Sequence, residues 1–444
     1  MSHYKPYPSY HPSGVDWIGD VPSTWEVKRL RHIARFANSG IDKKSYEGQE
    51  QVSLCNYTDV YYNEFITADM PFMQATASKD EIAQFTLKKG DLIITKDSED
   101  PSDIGIPALV VEDAPGVVCG YHLTLIRSAE LDTARLLHRV LQSTPTHAYF
   151  YIESPGITRY GLGQDVIGDL RVCMPPINEI ARIADCIDRE TKRIDSLIAK
   201  KTRFVELLKE KRQALITHAV TKGLDPNVKM RNSGVEWIGE VPHHWTLTTL
   251  KRVSSIRYGI GEPPPYKAEG VRLVRATNVN AGEIQERGMV LVDPNDIPAG
   301  RIVWLKSGDI VVVRSGAYTG DSAIVPEEYP SAIAGFDMVL RCTGAISQFI
   351  QFSLLSPYVK VAQIDPQTMR AAQPHLNAEE LGNCVIAAPS LDEQEEIASY
   401  LIKQCGVIDL IARKTQHSID LLKERRSAFI TAAVTGQIDL RESV

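Results

Sequence analysis

Four stretches of the chain hold residue types whose spacing invites a chemical reading, and each lacks a part that its chemistry needs. Pro264-Pro265-Tyr266 has the outline of the turn that places an acceptor beside the amino group of an extruded base. That chemistry needs Asp, Asn or Ser ahead of the prolines, and here Glu262 and Pro263 stand there. A Pro-rich exposed turn is the better reading. Gly161-Leu162-Gly163 is too short to form a cofactor loop, and Gly316–Gly320 has glycines near phosphate-loop spacing without the Lys and Ser/Thr that contact phosphate and magnesium. His243-His244 suggests a metal, but zinc wants three or four convergent ligands, so a solvated turn fits better. The seven cysteines are scattered, odd in number and without a C-x-x-C pair, which argues for a reducing compartment and against a disulfide framework or structural zinc. No catalytic or metal-ligating constellation emerges, and no cofactor is expected on this chain.

The elements that would position any site come next. A length of 444 residues predicts two to four domains, each able to bury its own core. No apolar run reaches the length of a membrane span, and the polar, Tyr/Pro-rich segment Met1 to Pro12 has no signal-peptide core, so a cytoplasmic protein is expected. The formal net charge of −7 tells against tight phosphate binding by this chain alone. It suits a subunit that grips its target together with partners.

The chain is written twice. Ser13-Gly14-Val15-Asp16-Trp17-Ile18-Gly19-Asp20-Val21-Pro22 returns as Ser233-Gly234-Val235-Glu236-Trp237-Ile238-Gly239-Glu240-Val241-Pro242, with Trp25 and Trp245 following at the same distance. Residues 175–225 then align without a gap on 389–439, with 19 of the 51 positions identical. Between the repeats lie variable regions, 26–174 and 246–388, that share only a skeleton. Leu87-Lys88-Lys89-Gly90-Asp91-Leu92-Ile93-Ile94 parallels Leu305-Lys306-Ser307-Gly308-Asp309-Ile310-Val311-Val312, a turn followed by a buried strand in each. Further strands are expected at 117–119, 122–126, 272–274 and 338–340, and helices at 131–142 and 346–355.

The long repeats read as helices. Asn178 and Asp392 are plausible N-caps, and Gly223 and Gly436 stand near the ends, where a left-handed residue is wanted. Apolar residues recur at sevens: Ile187, Ile194, Leu208 and Leu215, matched by Leu401, Ile408, Leu422 and Phe429. A flanking row adds Ile198 and Val205, or Ala412 and Ile419 on the second helix. This is a pairing stripe with polar interruptions at Lys201 and Thr415, and Gly406 is a candidate bend. Some forty residues give a rod of about 60 Å. The expected fold is α/β (α+β): two tandem mixed α/β modules, each followed by a long helix, the helices pairing as an antiparallel coiled coil with pseudo-twofold symmetry. The expected divisions are 1–174, 175–225, 226–388 and 389–444.

Over essentially the whole length this organisation resembles the specificity (S) subunits of type I restriction–modification systems. The motif from Ser13 to Pro22 looks like one that family places ahead of a recognition domain. Pro175-Pro176-Ile177-Asn178-Glu179 and Pro389-Ser390-Leu391-Asp392-Glu393-Gln394 are similar to its entry into each conserved helix. Leu208-Lys209-Glu210-Lys211-Arg212-Gln213-Ala214-Leu215-Ile216 with Ala219-Val220-Thr221 resembles the helix end. The resemblance implies that each variable region is a target-recognition domain reading one half of a bipartite, asymmetric site on double-stranded DNA. It also implies two methyltransferase (M) subunits using S-adenosylmethionine on adenine N6, and two restriction (R) subunits driven by ATP with Mg. No membrane partner is implied.

On that reading, side chains must reach base edges while others hold phosphates. After each Gly-Asp strand comes a cation, Lys96 and Arg314. The second is followed by Ser315, Tyr318 and Thr319 in a small polar loop, the first by the acidic Asp97-Ser98-Glu99-Asp100. A carboxylate can accept from cytosine N4, but a solvated acidic loop competes with that reading. A second surface precedes each long helix: Arg159, Tyr160 and Gln164 in one copy, Arg370, Gln373, His375 and Asn377 in the other. These suit base readout and equally suit caps and turns. Two rivals to a DNA-reading subunit stand beside it: a protein–protein adaptor with two heads, and a self-contained DNA-modifying enzyme, against which the missing motifs weigh.

Overall fold

The structure is a computed structural model that describes residues 4–368 and 374–441. The chain divides into two compact units, Met1–Thr202 with His417–Val444, and Arg203–Gln416. Each unit holds one variable module and one half of each long helix.

In the first unit the expected turn-and-strand skeleton carries the module. Strand β1 (Ala34–Asn38) pairs antiparallel with β3 (Leu123–Ser128), which pairs antiparallel with β2 (Asp91–Thr95). Pro107–Val110 and Phe65–Ile66 complete a five-stranded sheet. A second sheet of four strands has Ala114–Cys119 parallel to Glu50–Cys55. The second unit repeats the plan. Strand β4 (Ser254–Tyr258), β6 (Met338–Cys342) and β5 (Ile310–Val312) pair in the same order, and Val271–Val274 runs parallel to Ala332–Ala334 in the second sheet. Predicted helices appear as Leu131–Leu141 and Ser347–Leu355.

The Gly-Asp pair ahead of β2 and β5 has a structural cause. Gly90 and Gly308 adopt φ of +89° and +81°, a region that costs any residue with a Cβ. Asp91 and Asp309, each 2% exposed, close the turn by accepting the N–H of Lys88 and Lys306 at 2.8 Å. Arg127 and Arg341 then engage the same carboxylates by two hydrogen bonds each, at 2.6–2.7 Å. A buried carboxylate with three bonds is tolerated where a lone one is not.

Helix α1 (Ile177–Lys222) runs 46 residues without proline or glycine, and α2 (Leu391–Val434) runs 44, passing through Gly406 unbroken. Both start one residue before the expected caps, so Asn178 and Asp392 fall inside the first turn. Ser390 caps α2 instead, its Oγ accepting the Glu393 N–H at 3.3 Å. Gly223 and Gly436 take the left-handed conformation expected of them, with φ of +77° and +71°.

Within the first unit, Ile180, Ile183 and Ile187 share a core with Phe429, Ile430, Ala433 and Val434, and Asp195 meets Arg426 at 2.8 Å. Rising numbers on one helix meet falling numbers on the other, so the pairing is antiparallel. The second unit gives the same answer: Ile216, Ala219 and Val220 pack with Ile397, Leu401 and Cys405, and Arg212 meets Asp409 at 3.0 Å. Of the predicted stripe, Ile187, Ile194, Leu208, Leu401, Ile408, Ile419 and Phe429 are buried, and Ile198, Val205, Leu215 and Leu422 half-buried. Thr415, one of the polar interruptions, is buried with its hydroxyl bonded to the Ile411 carbonyl at 2.8 Å.

The short repeat forms a hairpin, Tyr10–Pro12 with Asp20–Pro22 in the first unit and Met230–Asn232 with Glu240–Pro242 in the second. Trp25 and Trp245 are buried behind it. In the first unit the hairpin seats on the end of α2: Tyr10 donates to the Gly436 carbonyl at 3.0 Å and Gln437 to the Asp20 carbonyl at 2.9 Å. In the second it follows directly from the end of α1.

Candidate nucleic-acid interface

The two surfaces read separately from the sequence come together in both modules by one device. Beyond β2, Asp97–Ser98 pair antiparallel with Tyr160–Gly161, and the Leu162 N–H reaches the Lys96 carbonyl at 2.8 Å. Beyond β5, Ser315 bridges to His375, and the Leu376 N–H reaches the Arg314 carbonyl at the same 2.8 Å. Leu162 and Leu376 are buried anchors, and a short helix starts two residues later in each case, at Gln164 and Ala378. The platform is thus a cation, an antiparallel bridge (two residues long in the first module, one in the second), a buried leucine and a helix start.

In the first module the cation is neutralised from within. Lys96 Nζ lies 3.0 Å from Asp97 Oδ2 and 5.2 Å from the centre of the Tyr121 ring, leaving the side chain 14% exposed. His122 Nδ1 approaches the same carboxylate at 2.7 Å, and its Nε2 lies 3.3 Å from Arg159 Nη2. With Asp97 accepting on one side and Arg159 donating on the other, the neutral Nδ1–H tautomer satisfies both contacts. His122 holds this place with φ of +70°, a strained backbone for a residue with a side chain. Burial works to raise the Asp97 pKa, but hydrogen bonds from His122 and Lys96, with the Lys96 charge, outweigh it and hold the carboxyl below its usual value. Arg159, His122 and Asp97, with Tyr57, Ser98 and Glu99, line an open cavity of about 300 Å³. In the acidic loop, Asp100 caps a turn through the Ser102 N–H at 2.9 Å. Tyr160 is half-buried in the ladder, and Gln164 is exposed on the first helical turn.

In the second module the cation is stacked. The Arg314 guanidinium carbon lies 4.6 Å from the centre of the Tyr258 ring and 4.2 Å from that of Phe336. Its backbone N–H donates to Asp337 Oδ1 at 3.2 Å, and burial pushes the Asp337 carboxyl up to about 6. Tyr318 stands exposed on the following loop, and His375 is exposed beside Ser315.

Two predicted readers take structural roles instead. Thr319 is 6% exposed and donates towards the Gly316 carbonyl at 2.7 Å, so it closes the loop rather than facing outward. The Asn377 carbonyl oxygen caps the helix at Ala378, accepting from the N–H groups of Glu379 and Glu380 at 2.9 Å. Arg370 and Gln373 lie outside the described residues. Missed from the sequence were His122, Tyr258, Phe336 and Asp337, which come from other strands or strand approaches, far along the chain from the cations they contact. Among the described residues no cluster of His, Cys, Asp and Glu could hold a metal ion.

With this geometry in view, comparison with known proteins places the chain. Residues 265–419 match the family model described as the type I restriction modification DNA specificity domain. The chain is 22% identical to the putative type I restriction enzyme MjaX specificity subunit of Methanocaldococcus jannaschii, over 96% of each. It is 19% identical to the type I restriction enzyme EcoKI specificity subunit of Escherichia coli K12, over 95% of this chain and 90% of that one. A chain from a solved structure concerned with complex assembly and conformational transition of the type I R-M system superposes with a TM-score of 0.67. It is 14% identical, covering 94% of this chain and 99% of that one, a likeness of fold. Residues 265–419 thus match that specificity domain, and the chain over nearly its whole length is similar to type I restriction enzyme specificity subunits.

Proposed function

We propose that the chain reads a bipartite, asymmetric site on double-stranded DNA, one half per module, and is itself without catalytic activity. It would scaffold two methyltransferase subunits that carry S-adenosylmethionine to adenine N6, and two restriction subunits using ATP and Mg, in the cytoplasm. The observation that carries this reading is the platform built twice on equivalent strands, with different side chains on each copy. A reader of two unlike half-sites needs one scaffold and two chemistries.

The helices support the scaffolding half. On α2, Tyr400, Ile402, Val407, Leu410 and Ile411 are all exposed. Apolar side chains gathered on one open stretch of helix suit a protein partner. No helix among the described residues is long and apolar enough to cross a membrane.

The test replaces residues 246–388 with the matching region of a relative and maps modified adenines across the genome of cells carrying the chimera. One half of the modified motif should change and the other stay. Both halves changing together would defeat the two-reader scheme.

A further inference from the structure

We infer that Arg314 is the guanine-reading side chain of the second module, held edge-on to the base by Tyr258 and Phe336. The inference rests on the DNA-reading assignment above and narrows it to one residue and one base.

A guanidinium is a flat fork whose donors all lie in its plane. Two rings centred 4.6 Å and 4.2 Å from its carbon pack against the group and restrain it. Its Nε is buried without a hydrogen-bond partner among the described residues. The neighbouring carboxylate, Asp337, accepts the backbone N–H of Arg314 and leaves the fork unengaged. Tyr258 is itself held, its hydroxyl accepting the Ala378 N–H at 2.8 Å. The result is a guanidinium restrained by packing before any ligand arrives, the arrangement that preorganised recognition requires.

Two kinds of DNA group present paired acceptors in one plane: the O6/N7 edge of guanine and the oxygens of a phosphate. Two observations favour guanine. Tyr258 and Phe336 remain 44% and 42% exposed, so an acceptor between them brings their rims against its own flanks. Neighbouring bases cover such rims, whereas a solvated phosphate leaves them wet. Asp337, bonded to the backbone of the same arginine, offsets the positive charge that a phosphate seeks. The equivalent Lys96 in the first module is a point donor already engaged by Asp97.

The test uses the complex purified through a tag on this chain from its own cells, with a randomised duplex DNA library as the probe. Bound sequences are compared for wild type, Arg314→Gln and Arg314→Lys. Both variants should lose preference at one G·C position by roughly tenfold or more, with the other half-site untouched. Lysine keeps charge and bulk without the planar fork, so Arg314→Lys carries the test should Arg314→Gln fail to fold. Preferences unchanged at every position, or affinity lowered evenly over all sequences as for a phosphate contact, would overturn the inference while leaving the DNA-reading assignment standing. A wild-type complex with no sequence preference would overturn both.

Discussion

In the first module Lys96 reaches Asp97 at 3.0 Å, with Tyr121 beneath it and His122 on the same carboxylate. In the second, Arg314 packs against Tyr258 and Phe336. The strands, the bridging contact and the buried leucine around the two cations are equivalent in position. The fold therefore fixes where the cation stands and leaves open what surrounds it. Replacing a carboxylate with two rings changes the donor from a neutralised point charge to an oriented fork, with no change of backbone plan. On the proposed function, that difference would let one scaffold serve two different half-sites.

The largest expected contrast lies away from the platforms, where the two units seal their helix ends. A Cβ added to Gly436 would sit 2.3 Å from Pro22 Cδ, whereas at Gly223 the nearest atom would be Trp245 Cζ2 at 3.3 Å. Both residues have positive φ, so both alanine variants bear a left-handed penalty of about 1–2 kcal/mol. Gly436→Ala adds overpacking of about 1–3 kcal/mol against a rigid ring. Gly436→Ala should therefore destabilise its unit by about 2–5 kcal/mol and Gly223→Ala by no more than about 2. Hydrogen exchange resolved by peptide is the measurement, because a chain of two units has no single unfolding free energy. Equal losses would mean that the hairpin of the first unit yields freely.

The Gly-Asp turns predict equality instead. Arg127→Met and Arg341→Met each strip two charge-assisted bonds from a carboxylate that is 2% exposed. Breaking a fully buried pair costs about 3–5 kcal/mol. Both guanidinium groups are about a third open to solvent, so about 2–3 kcal/mol is expected in each module. A difference above about 1 kcal/mol between the two would show that the matched geometry hides unmatched surroundings.

These turns also show what a sequence can yield. The skeleton was legible because Leu87–Ile94 and Leu305–Val312 carry a local signal, a glycine turn followed by a buried strand. The helix stripe was legible because a seven-residue period survives wherever apolar residues must meet. Half of each site was legible for a similar reason: Lys96 and Arg314 follow directly from the skeleton. Their partners were not. His122 and Phe336 come from a strand that reaches β2 or β5 only through sheet pairing, and no local pattern encodes that approach. The roles of Thr319 and Asn377 stayed open in the sequence because a hydroxyl or amide that caps a turn is indistinguishable there from one that reads a base. Only its hydrogen bonds, 2.7 Å to the Gly316 carbonyl or 2.9 Å from two helical N–H groups, settle which it does.

The smallest contrast is in the response to acid, and here the modules should move in opposite directions. Asp337 is raised by burial to about 6 in the folded chain, above its ordinary value of 3.8. The folded state therefore holds this proton more tightly than the unfolded state. Its contribution is fully present below about pH 4 and is lost as pH rises through about 6. Roughly two pKa units correspond to about 3 kcal/mol at most, and incomplete burial brings the expectation nearer 1–2 kcal/mol. Asp97 is shifted the other way, its charge held by His122 and Lys96. Its contribution is present above the ordinary carboxylate value and is lost as pH falls through a lower one. Between pH 7.5 and 5, then, exchange from peptides around β5 and β6, corrected for intrinsic rates, should slow. Peptides around β2 and β3 should show no matching gain, and should weaken only below pH 4. Asp337→Asn keeps an acceptor for the Arg314 N–H but cannot ionise, so it should flatten the pH dependence of the second module and leave the first unchanged. If the second module kept its full pH dependence in Asp337→Asn, the titrating group would be some other residue, and the contrast between the two platforms would be one of shape alone.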